Sequence, residues 1–363
     1  MSDATRRFCA RLGIEHPIVQ APMAGGNSTP AMAAAVSDGG GLGSLACAYM
    51  APADIAEAIA DVRRRTKKPF AINLFAGGYE QSNRAPVSSA EALAVLARHN
   101  AALGLPAPAM PAPVPDPTPA QFEAVLAARV PIFSFTFGIP PAAMLDRFRS
   151  SGAYIVGTAT TVGEARLLAE ARVDAVLAQG SEAGAHRGTF AAPFERAMIG
   201  TMALVPQIVD AVPGLAVIAA GGIMDGRGIA AAEALGASAT ALGTAFLVTD
   251  EAGIPAAYKR RIAVAQAEET KLTRAFSGRP ARGIVNAFMA EMDALGDAAI
   301  PPFPHTNSLT RPMRTAAGKA GDIERLSLWA GQGAPMARPM PAAALLRKLV
   351  EERASALRSF AAS

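Results

Sequence analysis

The chain has 363 residues, 51% of them hydrophobic, and carries 34 Lys and Arg against 30 Asp and Glu. This length suits an α/β barrel of about 250 residues with an extension, and so small a positive excess does not predict nucleic-acid binding. The two cysteines, Cys9 and Cys47, lack the spacing of a disulfide framework, and the histidines lack that of a metal site. No segment has the pattern of a signal peptide or a membrane span, so we expect a cytoplasmic protein.

Short β-rich runs alternate with helical patterns along the first 250 residues, as is typical of parallel βα units. Strands are predicted at residues 17–20, 41–45, 70–75, 131–135, 154–157, 175–178, 216–220 and 240–242. Helices are predicted between them at residues 52–65, 90–99, 121–128, 142–150, 162–171, 202–211 and 228–235. Eight strands in this alternation favour a closed (β/α)8 TIM barrel over an open doubly wound sheet.

Two segments depart from the alternation. Residues 105–120, LPAPAMPAPVPDPTPA, have proline at nearly every second position, which excludes helix and predicts an extended surface insertion. Residues 251–363 are too many for a tail, and helical patterns recur at 254–286, with breaks, and at 308–363. We therefore expect a barrel at 1–250 and a C-terminal helical cap over its active-site face. The apolar surface of the cap is either a homodimer contact or core.

Barrel enzymes place their chemistry where strands end and helices begin. After the first strand, QAPMAGG puts small residues beside Pro22 and Met23, which lets a flat ring lie against the backbone; a simple tight turn is the alternative. Asn73 is a polar side chain within the apolar third strand. It needs a hydrogen bond, either to a neighbouring loop or to a ligand.

Glycines follow both the seventh and the eighth predicted strand. The pair Gly221 and Gly222 follows the seventh, and the eighth ends in Ala241, Leu242, Gly243 and Thr244. In this fold the loops after these two strands often hold a phosphate through glycine amides. A phosphate site is therefore predicted here.

The loop after the sixth strand, QGSEAGAHRGTF at 179–190, places ionisable groups among glycines. A loop that only turns the chain needs Gly, Asn or Asp. His186 has a side chain whose charge changes near neutral pH, so it suits either binding an anion or taking a proton. The alternative is a surface histidine paired with Glu182.

The chain resembles the nitronate monooxygenases, formerly called 2-nitropropane dioxygenases, in five stretches taken in order: QAPMAGG, residues 179–189, AGGI at 220–223, Gly243-Thr244 and TRAFSGRPARG at 273–283. The EAGAHRG run resembles class I of that family. The resemblance implies an FMN-containing barrel that oxidises alkyl nitronates with O₂ to carbonyl compounds and nitrite or nitrate. Propionate 3-nitronate, a metabolic poison, is the substrate usually associated with the class, so detoxification is the implied role.

The resemblance also implies roles by position. It assigns FMN contacts to Asn73, Gln179, Gly184, Gly222 and the 241–244 turn, with Pro22 and Met23 beside the flavin ring and His186 facing the substrate. Two residues depart from the family pattern. Ala185 stands where many members have a second glycine, which restricts the φ angle. Ala241 stands where a polar residue is common, so its FMN contact would come from backbone.

Two features of the cap bear on the site. The cations Lys271, Arg274, Arg279 and Arg282 either attract an anionic substrate or flavin phosphate, or pair with Glu268, Glu269 and the cap's other acids. Trp329, next to the Gly331-Gln332-Gly333 turn, suits a lid over a flavin.

A second function fits the same barrel: an FMN-dependent NAD(P)H reductase of the enoyl-thioester or quinone type. No GxGxxG motif follows a predicted strand, but such barrels can bind nicotinamide without it. A phosphate-binding isomerase without flavin and a non-catalytic flavin carrier are further alternatives, against which the His186 loop argues.

Overall fold

The computed structural model describes residues 1–80, 89–110 and 115–362. Within these residues the strands are β1 (Ile18–Gln20), β2 (Gly43–Ala46), β3 (Phe70–Phe75), β4 (Ile132–Thr136), β5 (Tyr154–Ala159), β6 (Ala175–Gln179), β7 (Ala185–His186), β8 (Ala216–Ala220), β9 (Ala239–Leu242), β10 (Thr270–Thr273) and β11 (Ala281–Ile284). Eight run parallel in the order β1-β9-β8-β6-β5-β4-β3-β2. A bridge between Val19 and Leu42 joins β1 to the approach to β2 and closes the ring. The predicted (β/α)8 TIM barrel is confirmed.

Helices surround the barrel and extend over one end. In the described residues they are α1 (Asp3–Leu12), α2 (Pro30–Asp38), α3 (Pro52–Arg65), α4 (Ala90–Ala102), α5 (Thr118–Ala127), α6 (Ala142–Ser150), α7 (Val162–Glu170), α8 (Thr201–Ala211), α9 (Gly226–Ala234), α10 (Thr244–Leu247), α11 (Ala256–Ala263), α12 (Ala287–Asp293), α13 (His305–Ala320) and α14 (Ala342–Ala362). No helix of the described residues has both the length and the apolar character needed to cross a membrane.

The proline-rich insertion has neither helix nor strand at 105–110 and 115–117, and residues 111–114 lie outside the described part of the chain. Its predicted end at residue 120 is wrong, because α5 begins at Thr118. Pro119 is tolerated there, since the first turn of a helix leaves its N–H groups unpaired in any case.

The N-terminal helix α1 closes the base of the barrel. Its Phe8, Cys9 and Leu12 join strand residues such as Tyr154 and Ile218 in one apolar cluster. The rings of Phe8 and Tyr154 meet edge to face, with 6.2 Å between centroids, a geometry that aromatic pairs prefer. Because this end is filled, the carboxyl ends of the strands are the ones left for a binding site.

Amphipathic helices cover the outside of the barrel. On α3, Ile55, Ile59 and Val62 recur at helical spacing and are buried in the core. Fully burying a side chain of this kind stabilises a fold by about 1.5–3 kcal/mol. The last helix, α14, packs against α9 and α2. It therefore takes the place of the eighth barrel helix, although residues 243–341 separate it from β9.

The segment between β9 and α14 joins α4 in covering the carboxyl end of the barrel. Helix α4 contacts both α12 and α13, and the three share an apolar cluster that includes Leu96, Phe288 and Met313. This covering layer, with the hairpin described next, is called the cap below.

The prediction of broken helix over 254–286 is only partly right. Helix α11 lies within it, but β10 and β11 form an antiparallel hairpin, and β11 also pairs with β7. Short runs such as TKLT and ARGI carry too little periodicity to separate strand from helix in sequence. The threonines of β10 favour strand. The resulting three-stranded sheet ties the 179–190 loop to the cap.

Candidate active site

A cavity of about 830 Å³ lies at the carboxyl ends of the barrel strands, beneath the cap. Its size is within the usual range of ligand pockets. Its lining includes these predicted site residues: Pro22, Met23, Asn73, Gln179, Gly184, His186, Gly221, Gly222, Ala241, Gly243 and Thr244. Leu242 is not among the lining residues. Side chains alternate along a strand, so Leu242 points away from Ala241 and is buried in the outer core.

Gly221 and Gly222 form the turn after β8, with φ angles of 113° and 71° that favour glycine. A Cβ on Gly221 would lie 2.9 Å from the Thr201 hydroxyl, so close packing also requires glycine there. At Gly243 a Cβ would meet no atom nearer than 3.8 Å. A side chain there would make only ordinary contacts, and the backbone of Gly243 lines the cavity.

The Gly331-Gln332-Gly333 turn packs directly on the loop after β6. Gly331 donates its N–H to Thr244 Oγ1 at 3.0 Å, and Gln332 donates to the Glu182 carbonyl at 3.0 Å. A Cβ on Gly184 would lie 2.6 Å from Gly331 backbone, so the close approach requires glycine. Trp329, just before this turn, lines the cavity as predicted.

The loop that carries His186 is fixed by its own side chains. Gln179 donates from Nε2 to the His186 carbonyl at 3.0 Å, and its Oε1 accepts the Gly188 N–H at 2.8 Å. Glu182 accepts the N–H and the hydroxyl of Thr201 at the start of α8, a favourable position for a carboxylate. These bonds fix the backbone of the loop around His186.

Ala185 has a φ angle of 61°. A residue other than glycine pays about 1–2 kcal/mol in this left-handed region. Ala185 lies opposite Arg282 in the pairing of β7 with β11, which keeps the backbone in place. Ala185, which departs from the family pattern, therefore has a strained backbone conformation immediately before His186.

His186 lies half-buried in the cavity wall among aromatic rings. Its ring centroid is 5.6 Å from that of Trp329 and 5.8 Å from that of Phe137. Its Nε2 lies 2.8 Å from the Ser277 Oγ. The alternative of a surface histidine paired with Glu182 is wrong, because Glu182 is engaged at α8.

Charge around His186 favours the neutral imidazole. Burial, together with the positive charges of Arg279 and Arg314, lowers the pKa of His186 to about 3. The side chain is therefore an uncharged hydrogen-bonding group and proton acceptor near neutral pH, and the positive charge of the site comes from arginines.

Sequence analysis missed the cations of α13. Asn307, Arg311, Arg314, Thr315 and Gly318 recur at helical spacing and line the cavity, with Lys319 beside them. Among the described residues, those that line the cavity include no Asp or Glu. The spacing was visible in the sequence, but only the packing of α13 over the barrel shows which face meets the cavity.

Two of the cap cations that sequence analysis singled out pair with acids. Lys271 and Arg274 form ion pairs with Asp293 and Asp297, at 3.0 and 2.9 Å, which are among the cap's other acids that the second alternative named. Arg279 differs, since its guanidinium lies 3.9 Å from the centroid of the Phe137 ring, near His186. Arg282 donates to backbone carbonyls, including that of Ser181 at 3.2 Å.

Two polar side chains of the wall have capacity left for a ligand. Asn73 donates from Nδ2 to Ser134 Oγ at 3.0 Å, and no described residue donates to its Oδ1. Tyr49 was not predicted, although it follows the second strand. Its Oη is buried without a hydrogen-bond partner among the described residues, and burial raises the pKa of Tyr49 to about 12, so the phenol stays protonated.

A (β/α)8 barrel with a glycine-bordered cavity at its strand ends, a neutral histidine and a cationic wall has the anatomy of a barrel enzyme. The nitronate monooxygenase family model matches residues 7–352. The chain belongs to this family and is an oxidoreductase.

The similarity of this chain to known proteins extends over nearly its whole length. The probable nitronate monooxygenase of Staphylococcus aureus (strain Newman) is 38% identical over 347 residues, which are 95% of this chain and 96% of the relative. The solved nitroalkane oxidase of Streptomyces ansochromogenes is 41% identical, with a TM-score of 0.86 over 98% of this chain and 99% of its own. FabK from Thermotoga maritima is 28% identical, with a TM-score of 0.76 over 98% of both chains.

Proposed function

We propose that this oxidoreductase is an FMN-dependent nitronate monooxygenase. It would oxidise alkyl nitronates, propionate 3-nitronate among them, with O₂ to carbonyl compounds and nitrite or nitrate. The observation that carries the proposal is the meeting, in one cavity, of the glycine turns after β8 and β9 with His186 and the α13 cations. A nitronate is an anion, and this wall offers positive charge without a competing carboxylate among the described residues.

The residues present fit FMN. The phosphate suits the backbone of Gly221, Gly222, Gly243 and Thr244, which lies where barrels of this class hold phosphates. All four residues line the cavity, so a phosphate bound there can reach their backbone. Pro22 and Met23 offer an apolar surface for the flavin ring, and Asn73 Oδ1 can accept a hydrogen bond from its polar edge. FMN, when bound, supplies the electron transfer between substrate and O₂.

The two roles left open for His186 are not equally supported. An imidazolium that binds the anion requires a pKa near or above neutral, whereas the pKa of His186 is lowered to about 3. Positive charge for the anion comes instead from Arg311, Arg314 and Lys319. The unprotonated ring can accept a proton at neutral pH, so we assign His186 to accepting one from a neutral nitroalkane; its low pKa makes it a weak base for this step. A nitronate, already deprotonated, does not need this step.

Replacing His186 with Asn tests this assignment. We expect kcat/KM for a neutral nitroalkane to fall by about 10² or more, while that for the corresponding nitronate stays within a few-fold of wild type. Steady-state O₂ consumption with each substrate measures both values. Equal losses on the two substrates would contradict a proton-accepting role.

The spectrum of the purified protein tests the function as a whole. We expect a flavin absorbance that changes on anaerobic mixing with propionate 3-nitronate, and turnover when O₂ is admitted. NADH in a parallel cuvette should leave the flavin oxidised. Absence of any flavin, or a flavin that propionate 3-nitronate does not reduce, would rule out the proposal.

A reductase is the second candidate, because the similarity to FabK extends over nearly the whole chain. The same experiment separates the two. Bleaching of the flavin by NADH, with no response to nitronate, would assign the protein to the NAD(P)H-dependent reductases.

A further inference from the structure

Ser277 contacts His186 from the turn between β10 and β11. Its Oγ lies 2.8 Å from His186 Nε2, and only 2% of the residue is exposed. The turn is held tightly, because Gly278 has a φ angle of 78° and a Cβ there would lie 2.3 Å from the Pro301 carbonyl oxygen. The hydroxyl is therefore fixed in place beside the imidazole.

The hydrogen bonds of this hydroxyl determine which atom of the imidazole carries the proton. Ser277 Oγ donates to the Arg279 carbonyl at 3.0 Å and accepts the Arg279 N–H at 3.2 Å. A hydroxyl has one proton to donate and two lone pairs. Its remaining capacity is thus one lone pair, which can only accept from Nε2–H of His186.

The opposite arrangement is less favourable. If Ser277 donated to Nε2, the Arg279 carbonyl would lose its donor and one Oγ lone pair would be left unpaired. Unpaired polar groups at a buried site cost free energy. No other described residue forms a hydrogen bond with the His186 ring, so its Nδ1 is left with a free lone pair.

We infer that Ser277 is a positioning residue, which holds His186 as the Nε2–H tautomer and presents unprotonated Nδ1 to the substrate. The inference rests on the proposed function. With a neutral nitroalkane, the α-proton moves to Nδ1, the C–H electron pair forms the C=N bond of the nitronate, and the negative charge passes to the nitro oxygens. Ser277 continues to accept the Nε2–H of the resulting imidazolium.

Substitutions at Ser277 test this inference. In Ser277→Ala we expect kcat/KM for a neutral nitroalkane to fall about tenfold or more, while that for its nitronate changes less than about threefold. Ser277→Thr keeps the hydroxyl and should restore most of the lost activity. The matched control is Ser37→Ala, which removes an equally buried hydroxyl that bonds Pro69 and Gly43, away from the cavity.

The tautomer is measured directly by ¹H–¹⁵N correlation spectra of the holoenzyme with labelled histidine, using His186→Asn to assign the signals. We expect a protonated Nε2 and an unprotonated Nδ1 near neutral pH in wild type and Ser37→Ala. The Nε2–H of wild type should exchange with solvent more slowly than that of Ser277→Ala, because the serine shields it.

Each outcome of these experiments supports or overturns the role proposed for Ser277. A proton on Nδ1 in wild type overturns the inference, and so does an equal loss on both substrates in Ser277→Ala, which indicates a purely structural role. These results are separate from the proposed function. If wild type does not oxidise nitronates at all, that function fails while the tautomer can still be read.

Discussion

His186 is surrounded by positive charge, with no carboxylate partner among the described residues. Ser277 occupies the Nε2 side, and burial, together with the charges of Arg279 and Arg314, lowers the pKa of the ring. In many enzymes a carboxylate orients the catalytic histidine and stabilises its charged form. Here the environment disfavours that form. The ring is therefore a weak base, and an imidazolium formed by proton transfer to it is short-lived.

The lowered pKa of His186 predicts a pH dependence of stability. In the unfolded chain a histidine has a pKa of about 6.5, whereas His186 in the folded protein has a pKa of about 3. Between these two pH values the unfolded state is protonated at this histidine and the folded state is not. Stability therefore falls as pH drops through this window. Between about pH 7 and pH 5 we expect wild type to lose up to about 2 kcal/mol more than His186→Asn, measured by urea unfolding. Parallel losses would show that the folded histidine titrates normally.

The strain at Ala185 predicts a stabilising substitution. At a φ angle of 61°, Ala185→Gly relieves about 1–2 kcal/mol, offset in part by the greater flexibility of glycine in the unfolded chain. We expect a net gain of about 0.5–1 kcal/mol and a small rise in Tm. Ala183→Gly is the control from the same loop: its φ angle is not positive, so it should lower Tm. A loss of stability in both variants would exclude strain at Ala185.

Elements of the barrel were predictable because each strand is a short apolar run bounded by turn residues, as at 70–75 and 216–220. The β10–β11 hairpin was not predictable, because Thr270–Thr273 and Ala281–Ile284 gain their partners from each other and from β7. Its turn was recognised in sequence only as a family motif. In the structure, that motif brings Ser277 to His186.

The close packing of this hairpin predicts a destabilising substitution. Gly278→Ala places a Cβ 2.3 Å from the Pro301 carbonyl oxygen, in addition to the strain of a φ angle of 78°. Gly296→Ala has the same kind of strain, at a φ angle of 80°, with no atom within 4 Å. We expect Gly296→Ala to cost about 1 kcal/mol and Gly278→Ala at least about 2 kcal/mol more, by urea unfolding. Equal costs would mean that the hairpin turn moves freely away from residue 301.

The formal net charge of +4 for the whole molecule does not indicate a ligand. The placement of cations, without acids, among the described residues that line the cavity indicates an anionic one. The predicted residues around His186 came together because strand ends of a barrel meet at one face. Arg311 and Arg314 were not predicted, because the face that α13 turns to the cavity depends on packing between segments distant in sequence. The sequence therefore predicted the strand-end residues of the cavity better than the α13 residues that cover it.

The cations that α13 places at the cavity predict a salt-dependent kcat/KM for an anionic substrate. Lys319 and Arg311 are exposed at the cavity, so we expect Lys319→Glu to lower kcat/KM for propionate 3-nitronate several-fold at low ionic strength, with kcat little changed. The difference should vanish near 1 M salt, where the Debye length is about 3 Å. Lys67→Glu makes the same charge change at an exposed site between α3 and β3 and should have little effect. An effect of Lys319→Glu that persists at high salt would indicate direct contact instead of long-range attraction.

The place of α14 between α9 and α2 bears on how the protein is made on the ribosome. The eighth strand emerges long before the helix that must cover it, since residues 243–341 are synthesised in between. During that interval the outer face of the barrel between α9 and α2 lacks its covering helix, and the apolar surface on which Leu345, Leu346 and Leu349 are later buried is open to other chains. We therefore expect a nascent barrel of this design to need protection by chaperones for longer than one whose helices follow their strands directly.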